Sequence, residues 1–310
     1  MTIQQLEYIL AVDKHRHFGH AAEACFVTQP TLSAQVSKLE KELEVLIFDR
    51  SKMPVIPTEI GVQLLLQAKR VVSESKGIYE TISQQKGNIE GMIIIGIIPT
   101  LAPYLLHLFI GKFLNDYPQV QLQVEEMNTS EVIKRLKNDE LDLGIVATPL
   151  EEPGLLENPI FYEQFYAYFS KGHPLLDNNT VEAKELGGSD LWVLKQGHCL
   201  REQVLNICDQ KKFQKMNFHY ESGSLEGLKN MVDRYKGITL LPELATINLN
   251  EEEKTRLRSF SGNPPSREIS IILTRSFLKK KLVGLLYNAI RECIPDEMRT
   301  REVGRVVKFK

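Results

Sequence analysis

Apolar positions along the first 45 residues recur at the spacing of short helices. Leu6, Ile9 and Leu10 form one stripe at i, i+3, i+4. Phe18, Ala21 and Ala22 open a second, whose alanines are small enough for another helix to cross closely. Thr28 is placed to cap a third helix, with Pro30 in the first turn, where early amides lack intrahelical acceptors. Leu32, Val36, Leu39 and Leu43 then face inward, leaving Thr31, Ser33, Ala34, Ser37 and Lys38 mostly on the other side. Small polar residues there suit close approach to a partner. Residues 50–57 are broken by two prolines and read as an extended wing. Thr58 caps a helix of roughly 30 residues, longer than the usual length of about 11–12. Along it, Leu65, Ala68, Val72, Ser75, Tyr79 and Ile82 alternate spacings of three and four. Such a seam pairs with a second copy or packs on its own chain, and the pattern alone leaves both open.

Past Gly91 the period switches. Strand-like runs fall at 92–98, 120–127, 143–147, 161–170, 191–194, 218–221, 238–241 and 269–274. Helical patterns fall between them, at 101–116, 130–138, 199–211, 224–234 and 278–293. This alternation predicts a mainly parallel α/β sheet with ligand chemistry at the strand C-terminal ends. Chain crossings near 161–164 and Arg267 predict two units with a cleft between them. Residues 295–310 have little periodicity and are expected to form a frayed tail.

Composition narrows the class. The chain has 310 residues, 38 Lys+Arg against 40 Asp+Glu, and four cysteines. That excludes disordered, collagen-like and disulfide-framework proteins, and leaves room for about two domains. Cys25, Cys199, Cys208 and Cys293 have no zinc-like spacing, so no metal and no cofactor is expected. The N-terminus lacks the features of a signal peptide, and no apolar run approaches a bilayer span of roughly 20 residues. The expected setting is cytoplasmic, with reduced thiols and no membrane association. His15, His17 and His20 lack carboxylate partners and read as a solvated or phosphate-facing cluster. Cys293 reads as packing, and Lys279-Lys280-Lys281 as the solvated start of a helix.

Two short helices and a capped Thr28-Gln29-Pro30 fit a helix-turn-helix, although a plain helical bundle fits the same pattern. The ordered set Phe18-x-x-Ala21-Ala22, Thr28-Gln29-Pro30-Thr31-Leu32-Ser33, Val36-x-x-Leu39-Glu40-x-x-Leu43, Ile47-Phe48-x-Arg50 and Thr58-x-x-Gly61 is more specific. It resembles the winged helix-turn-helix of LysR-type transcriptional regulators. The resemblance implies a recognition helix from about Gln29 to Leu43 in the DNA major groove, and a linker helix that dimerises through Leu65, Ala68, Val72 and Tyr79. It also implies a periplasmic-binding-protein-like regulatory domain of two α/β subdomains. The expected divisions are 1–58 for the winged head, 59–88 for the linker, 89–295 for the regulatory domain and 296–310 for the tail. Two departures stand out: Glu44 where the family usually has a helix-ending glycine, and Cys25 where it usually has leucine.

Residues 1–90 hold ten Lys/Arg and eleven Asp/Glu. Bulk attraction to DNA is therefore absent, and affinity must come from charge placement, helix N-termini and several copies of the head. Lys38, Arg50 and Lys52 are expected to serve phosphates. Base reading is expected from Gln29, Thr31, Ser33, Ala34 and Ser37, with Thr28 and Pro30 at the start of the helix.

The remaining chemistry lies around Cys199. It falls in or beside a first helical turn, where the helix dipole, His198 and Arg201 are expected to favour thiolate. A thiolate attacks peroxide to give a sulfenic acid, which needs a second thiol to become a disulfide. Cys208 is the nearest candidate in sequence, although two unrelated buried thiols are the commoner reading of such a pair. On one helix the pair would stand roughly 13–14 Å apart, against the 7 Å or so that a disulfide tolerates. Bonding would require the helix to unwind, which is what a switch needs.

Gly197-His198-Cys199-Leu200-Arg201-x-Gln203 with Cys208 is accompanied by Ile98-Pro99-Thr100-x-x-Pro103-Tyr104-Leu105-Leu106 and Ser224-Leu225-Glu226-x-Leu228-x-Asn230-Met231-Val232. Together they resemble the hydrogen-peroxide-sensing OxyR branch of the LysR-type family over roughly residues 1–295. The resemblance implies a peroxidatic Cys199, a resolving Cys208 and a peroxide pocket of Thr100, Thr129, His198, His219 and Arg267. It further implies a homotetramer built from dimers, promoter DNA and RNA polymerase as partners, a cellular thiol reductant for reset, and no enzyme activity. Residues 250–258 and the tail are assigned nothing. The alternatives are a LysR-type regulator answering to a small metabolite in its cleft, a thiol peroxidase, and a periplasmic solute-binding protein.

Overall fold

The structure is a computed structural model that describes residues 1–85, 89–186, 191–208, 220–275, 277, 279–300 and 304–308, with side chains at 73, 76 and 79–85 left aside. The chain separates into two compact units, Met1–Asn88 and Ile89–Lys310.

The first unit runs α1 (Ile3–His15), α2 (Phe18–Ala24), α3 (Gln29–Leu43), β1 (Phe48–Asp49), β2 (Ile56–Pro57) and α4 (Glu59–Gln85). Thr2 and Gln5 close a reciprocal capping box on α1. Thr28 Oγ1 accepts the Thr31 amide at the start of α3, with Pro30 in its first turn. β1 and β2 pair antiparallel as the wing, Phe48 opposite Pro57. Leu6, Ile9, Ala21, Ala22, Leu32, Val36 and Leu39 form the core, as their spacing predicts.

One assignment changes here. Leu65, Ala68 and Val72 are buried in that same intrachain core, where α4 packs on α1. They are not free to meet a partner. Among the described side chains of α4, the apolar ones left exposed are Ile60, Val62, Val71 and Ile78. A 3–4 spacing reports only that a helix has an apolar face, and the head used that face first. The side chain of Tyr79 lies outside the described residues.

The second unit opens with β3 (Gly91–Ile97), α5 (Ala102–Asp116), β4 (Val120–Glu126), α6 (Thr129–Lys137), β5 (Leu143–Thr148) and β6 (Leu155–Phe169). It continues through β7 (Thr180–Val181), α7 (Cys199–Ile207), α8 (Leu225–Arg234), β8 (Ile238–Pro242), α9 (Glu243–Thr246) and α10 (Glu251–Lys254). It closes with β9 (Leu257–Phe260), β10 (Pro265–Thr274), α11 (Lys280–Cys293) and β11 (Arg305–Val306). The strand order is β4-β3-β5-β10-β6-β9-β7, with β8 on β6 and β11 on β10. β3 pairs parallel with β4 and β5, as strand–helix alternation requires. The centre differs from a mainly parallel sheet. β10 runs antiparallel to both β5 and β6, and β6 antiparallel to β8 and β9. β6 and β10 are long enough to serve two subdomains, and local periodicity carries no strand direction.

β6 makes the crossing. Its Ile160 and Phe161 belong to a first core with Ile93, Ile95, Leu105, Phe109 and Leu286; Phe165, Ala167 and Phe169 belong to a second with Leu191, Trp192, Val204 and Leu228. The result is a two-subdomain, periplasmic-binding-protein-like α/β fold carried behind a winged helix-turn-helix. Residues 191–194 form isolated bridges rather than a strand. The charged stretch 250–258 supplies α10 and the start of β9.

Residues 295–300 and 304–308, the described part of the tail, are not frayed. Met298 is buried in the first core and Val307 in the second, while β11 pairs parallel with β10 through Pro265 opposite Arg305 and Ser266 opposite Val306. Two apolar anchors and a two-residue strand are too brief to register as periodicity. No helix among the described residues is long and apolar enough to cross a membrane.

Candidate functional site

Cys199 is the first residue of α7, with His198 at the N-cap making no side-chain capping bond. Gly197 precedes it at φ +96, in the left-handed region that suits glycine, and turns the chain into the helix. The Cys199 side chain is 7% exposed and packs in the first core. Leu200, Val204, Ile207 and Cys208, from the same stretch, pack in the second, Cys208 being 4% exposed. All four cysteines are free thiols. Cys199 and Cys208 therefore stand at opposite ends of α7, each in its own core, at a helical separation of roughly 13–14 Å.

Arg267 and Glu163 face each other in the β10–β6 register and are both fully buried. Arg267 Nε donates to Glu163 Oε1 at 2.8 Å, Nη1 to Thr100 Oγ1 at 3.1 Å, and Nη2 to the Thr100 carbonyl at 3.2 Å. Glu163 Oε2 accepts the Leu244 amide at 3.0 Å, so both carboxylate oxygens are held. Thr100 follows β3, Thr129 is the first residue of α6 after β4, and Cys199 begins α7. Strand exits and helix starts thus gather polar groups that suit an incoming oxygen.

Burial pushes the Cys199 thiol up from its ordinary value. The Arg267 cation, the Thr129 hydroxyl and the Leu200 and Cys199 amides pull it down by less. Thr129 nevertheless meets no partner in hydrogen-bond geometry, so its Oγ1 is buried and unpaired. Two expected thiolate supports are replaced. Arg201 turns away and donates to the Leu194 carbonyl at 2.7 Å. His198 has its pKa held below the ordinary value by burial and then by Lys195, which favours the neutral imidazole. It offers one N–H and one lone pair rather than a charge. Burial alone pushes the Cys208 thiol up to about 12. His219 lies outside the described residues. Among those described, no cluster of His, Cys, Asp and Glu is fit to hold a metal.

In the head, Thr28, Gln29, Pro30, Thr31, Ala34, Ser37 and Lys38 are exposed and Ser33 is half-buried. Arg50 is committed within the head: its Nη2 donates to Glu40 Oε2 at 2.7 Å and Ser37 Oγ at 3.0 Å, with the guanidinium over Phe18. Glu40 is buried and its Oε1 accepts the Ile47 and Phe48 amides. It ties the start of β1 to α3. Lys52 is exposed, 4.0 Å from Asp49.

Residues 3–62 match the bacterial regulatory helix-turn-helix protein of the lysR family, and residues 86–293 match the LysR substrate binding domain. The chain belongs to the LysR family. This LysR chain is 38% identical, over its full length and 96% of the relative, to the DNA-binding transcriptional dual regulator OxyR of Escherichia coli K12. It is 34% identical to a hydrogen peroxide-inducible genes activator of Haemophilus influenzae, covering 97% of this chain and 98% of the other. Among solved structures, full-length OxyR C199D from Pseudomonas aeruginosa matches with a TM-score of 0.79 at 34% identity, covering 98% of this chain and all of that one. Sequence reasoning missed two residues of this LysR chain, Glu163 and Glu40. Glu163 is a lone carboxylate among aromatic neighbours, which is the signal that was available, whereas Glu40 stood in the quoted motif with no role given to it.

Proposed function

We propose that this LysR-family regulator responds to hydrogen peroxide through Cys199 and Cys208, and that oxidation changes its oligomer geometry and promoter binding. The observation that carries this reading is the unpaired Thr129 hydroxyl beside a thiol that also feels Arg267. Thr100 adds a hydroxyl proton of its own, because its Oγ1 accepts from Arg267 and still has an O–H to give. Hydroxyls and a guanidinium orient peroxide and stabilise a departing hydroxide.

The Cys199 thiolate attacks one peroxide oxygen, the O–O bond breaks, and the leaving hydroxide takes up a proton to become water. Cys199 is then a sulfenic acid. The Cys208 sulfur attacks Cys199 Sγ, the S–O bond breaks and hydroxide departs as water, leaving a disulfide. A cellular dithiol returns the two electrons. Since a relaxed α7 keeps the sulfurs in separate cores, bonding selects a second conformation of this segment.

The head, 1–58, would read promoter DNA through the exposed face of α3, with Lys38 and Lys52 toward phosphates. Arg50 acts by holding Glu40 and Ser37. The linker, 59–88, would join copies into a dimer of dimers, and RNA polymerase is the expected partner at promoters. The regulatory domain, 89–295, would carry the switch, and residues 304–308 pack onto it. Mass spectrometry of peroxide-treated, alkylated protein beside DNA footprinting of both forms tests the whole. A 199–208 crosslink with altered footprints is expected. A Cys208→Ala variant with an unchanged peroxide response would instead point to a LysR regulator with a small-molecule effector.

A further inference from the structure

We infer that the last strand of the chain is a latch on α7, setting how readily the Cys199 helix opens. Gln203 is fully buried, and its Nε2 donates to the Val307 carbonyl at 3.1 Å. One turn on, Asn206 Nδ2 donates to the Lys308 carbonyl at 3.0 Å. Two side chains on one face of α7 thus grip successive carbonyls of the tail. The tail is fixed from behind by β10: the Val307 amide donates to Ser266 O at 2.8 Å, and the Arg305 amide to Pro264 O at 2.9 Å. Gly304 brings the strand in at φ +145, where a Cβ would stand 2.3 Å from the Pro264 oxygen. Lys308 also pairs with Glu151.

The placement gives these contacts their weight. β11 joins α7 to the strand that carries Arg267, and the Val307 side chain shares the second core with Leu200, Val204, Ile207 and Cys208. α7 has only nine residues and no side-chain N-cap, so its persistence depends on tertiary contacts rather than on its own helicity. Drawing Cys208 toward Cys199 unwinds the helix whose Gln203 and Asn206 hold the tail. The seam is also built to release, since Gln203 Oε1 and Ser266 Oγ are buried without partners and lower its net stability. The latch rests on the thiol switch proposed above for its consequence, though not for its existence.

Three proteins test it: the full chain, a chain ending at residue 303, and full-length Asn206→Ala. Hydrogen exchange of α7 amides is followed in the reduced proteins, with no peroxide present. After hydrogen peroxide is added, dimedone trapping times the sulfenic acid and alkylation with mass spectrometry times the 199–208 bond. The shortened chain is expected to exchange at least tenfold faster in α7 and to form the disulfide at least fivefold faster. Its sulfenic acid should form at a rate within about twofold of the full chain. Asn206→Ala should shift exchange and disulfide formation the same way by about threefold, as the loss of one modest hydrogen bond allows. Unchanged α7 exchange, or slower disulfide formation, in Asn206→Ala overturns the latch, and this variant decides if the shortened chain does not fold. Should the full chain form no 199–208 bond at all, the switch reading fails while the exchange measurement still decides the latch.

Discussion

At the scale of single residues, the thiol proposed as the reactive centre is one whose burial favours the protonated form. Burial holds Cys199 up, and Arg267 and Thr129 oppose it, so the rate of sulfenic-acid formation should climb about tenfold per pH unit between pH 6 and 8. Stopped-flow reaction with peroxide across that range checks this. Thr129→Val removes an unpaired hydroxyl and keeps the shape. It should leave stability unchanged or raise it by about 1 kcal/mol while slowing peroxide reaction about tenfold, separable by denaturant unfolding and kinetics. Cys208 gives a further prediction. Its thiol stays protonated in the fold up to about 12, whereas the unfolded chain ionises near 8.5. Its contribution is thus complete below about pH 8.5 and falls by about 1.4 kcal/mol per pH unit above it. Cys208→Ala should lessen that alkaline loss, measured as urea stability against pH. The thiols were legible because Gly197-His198-Cys199 and Cys208 lie within one short stretch. Glu163 was not, since its partner Arg267 lies 104 residues away and only strand register brings them together.

At the scale of elements, chemistry at the ends of segments decided more than their middles. α3 ends at Glu44 in the left-handed region, φ 58, where the LysR resemblance implies glycine. Glu44→Gly should raise head stability by about 1 kcal/mol, read from denaturant unfolding. Gly61 cannot be replaced so easily, for a Cβ there would stand 2.1 Å from the Ile47 carbonyl. In α4, Leu65→Ala should destabilise the head by about 2–4 kcal/mol, because that side chain belongs to its core. Ile78→Asp should instead dissociate the oligomer in light scattering without changing head stability, because Ile78 is exposed. Helices of both units were readable from caps and stripes. Strand direction and the seat of the tail were not, since both depend on pairing partners far along the chain.

At the scale of the whole molecule, a head with one more acid than base must rely on where its few cations stand. Lys38→Ala should weaken binding to all DNA sequences alike and reduce the salt slope of log K by about 0.9 per head, measured by titration at several ionic strengths. The regulatory unit has two cores held together by β6, β10 and a short helix with a thiol at each end. That arrangement has a consequence in time. In the proposed switch, the first chemical step would need only a peroxide molecule at Cys199, whereas the second would wait for a helix to open. Between them the protein would carry a sulfenic acid that a reductant can erase. A brief pulse of oxidant would then be forgotten, and a sustained one recorded. On that reading the helix is a delay line, and its length and moorings would set the duration that the cell treats as a signal.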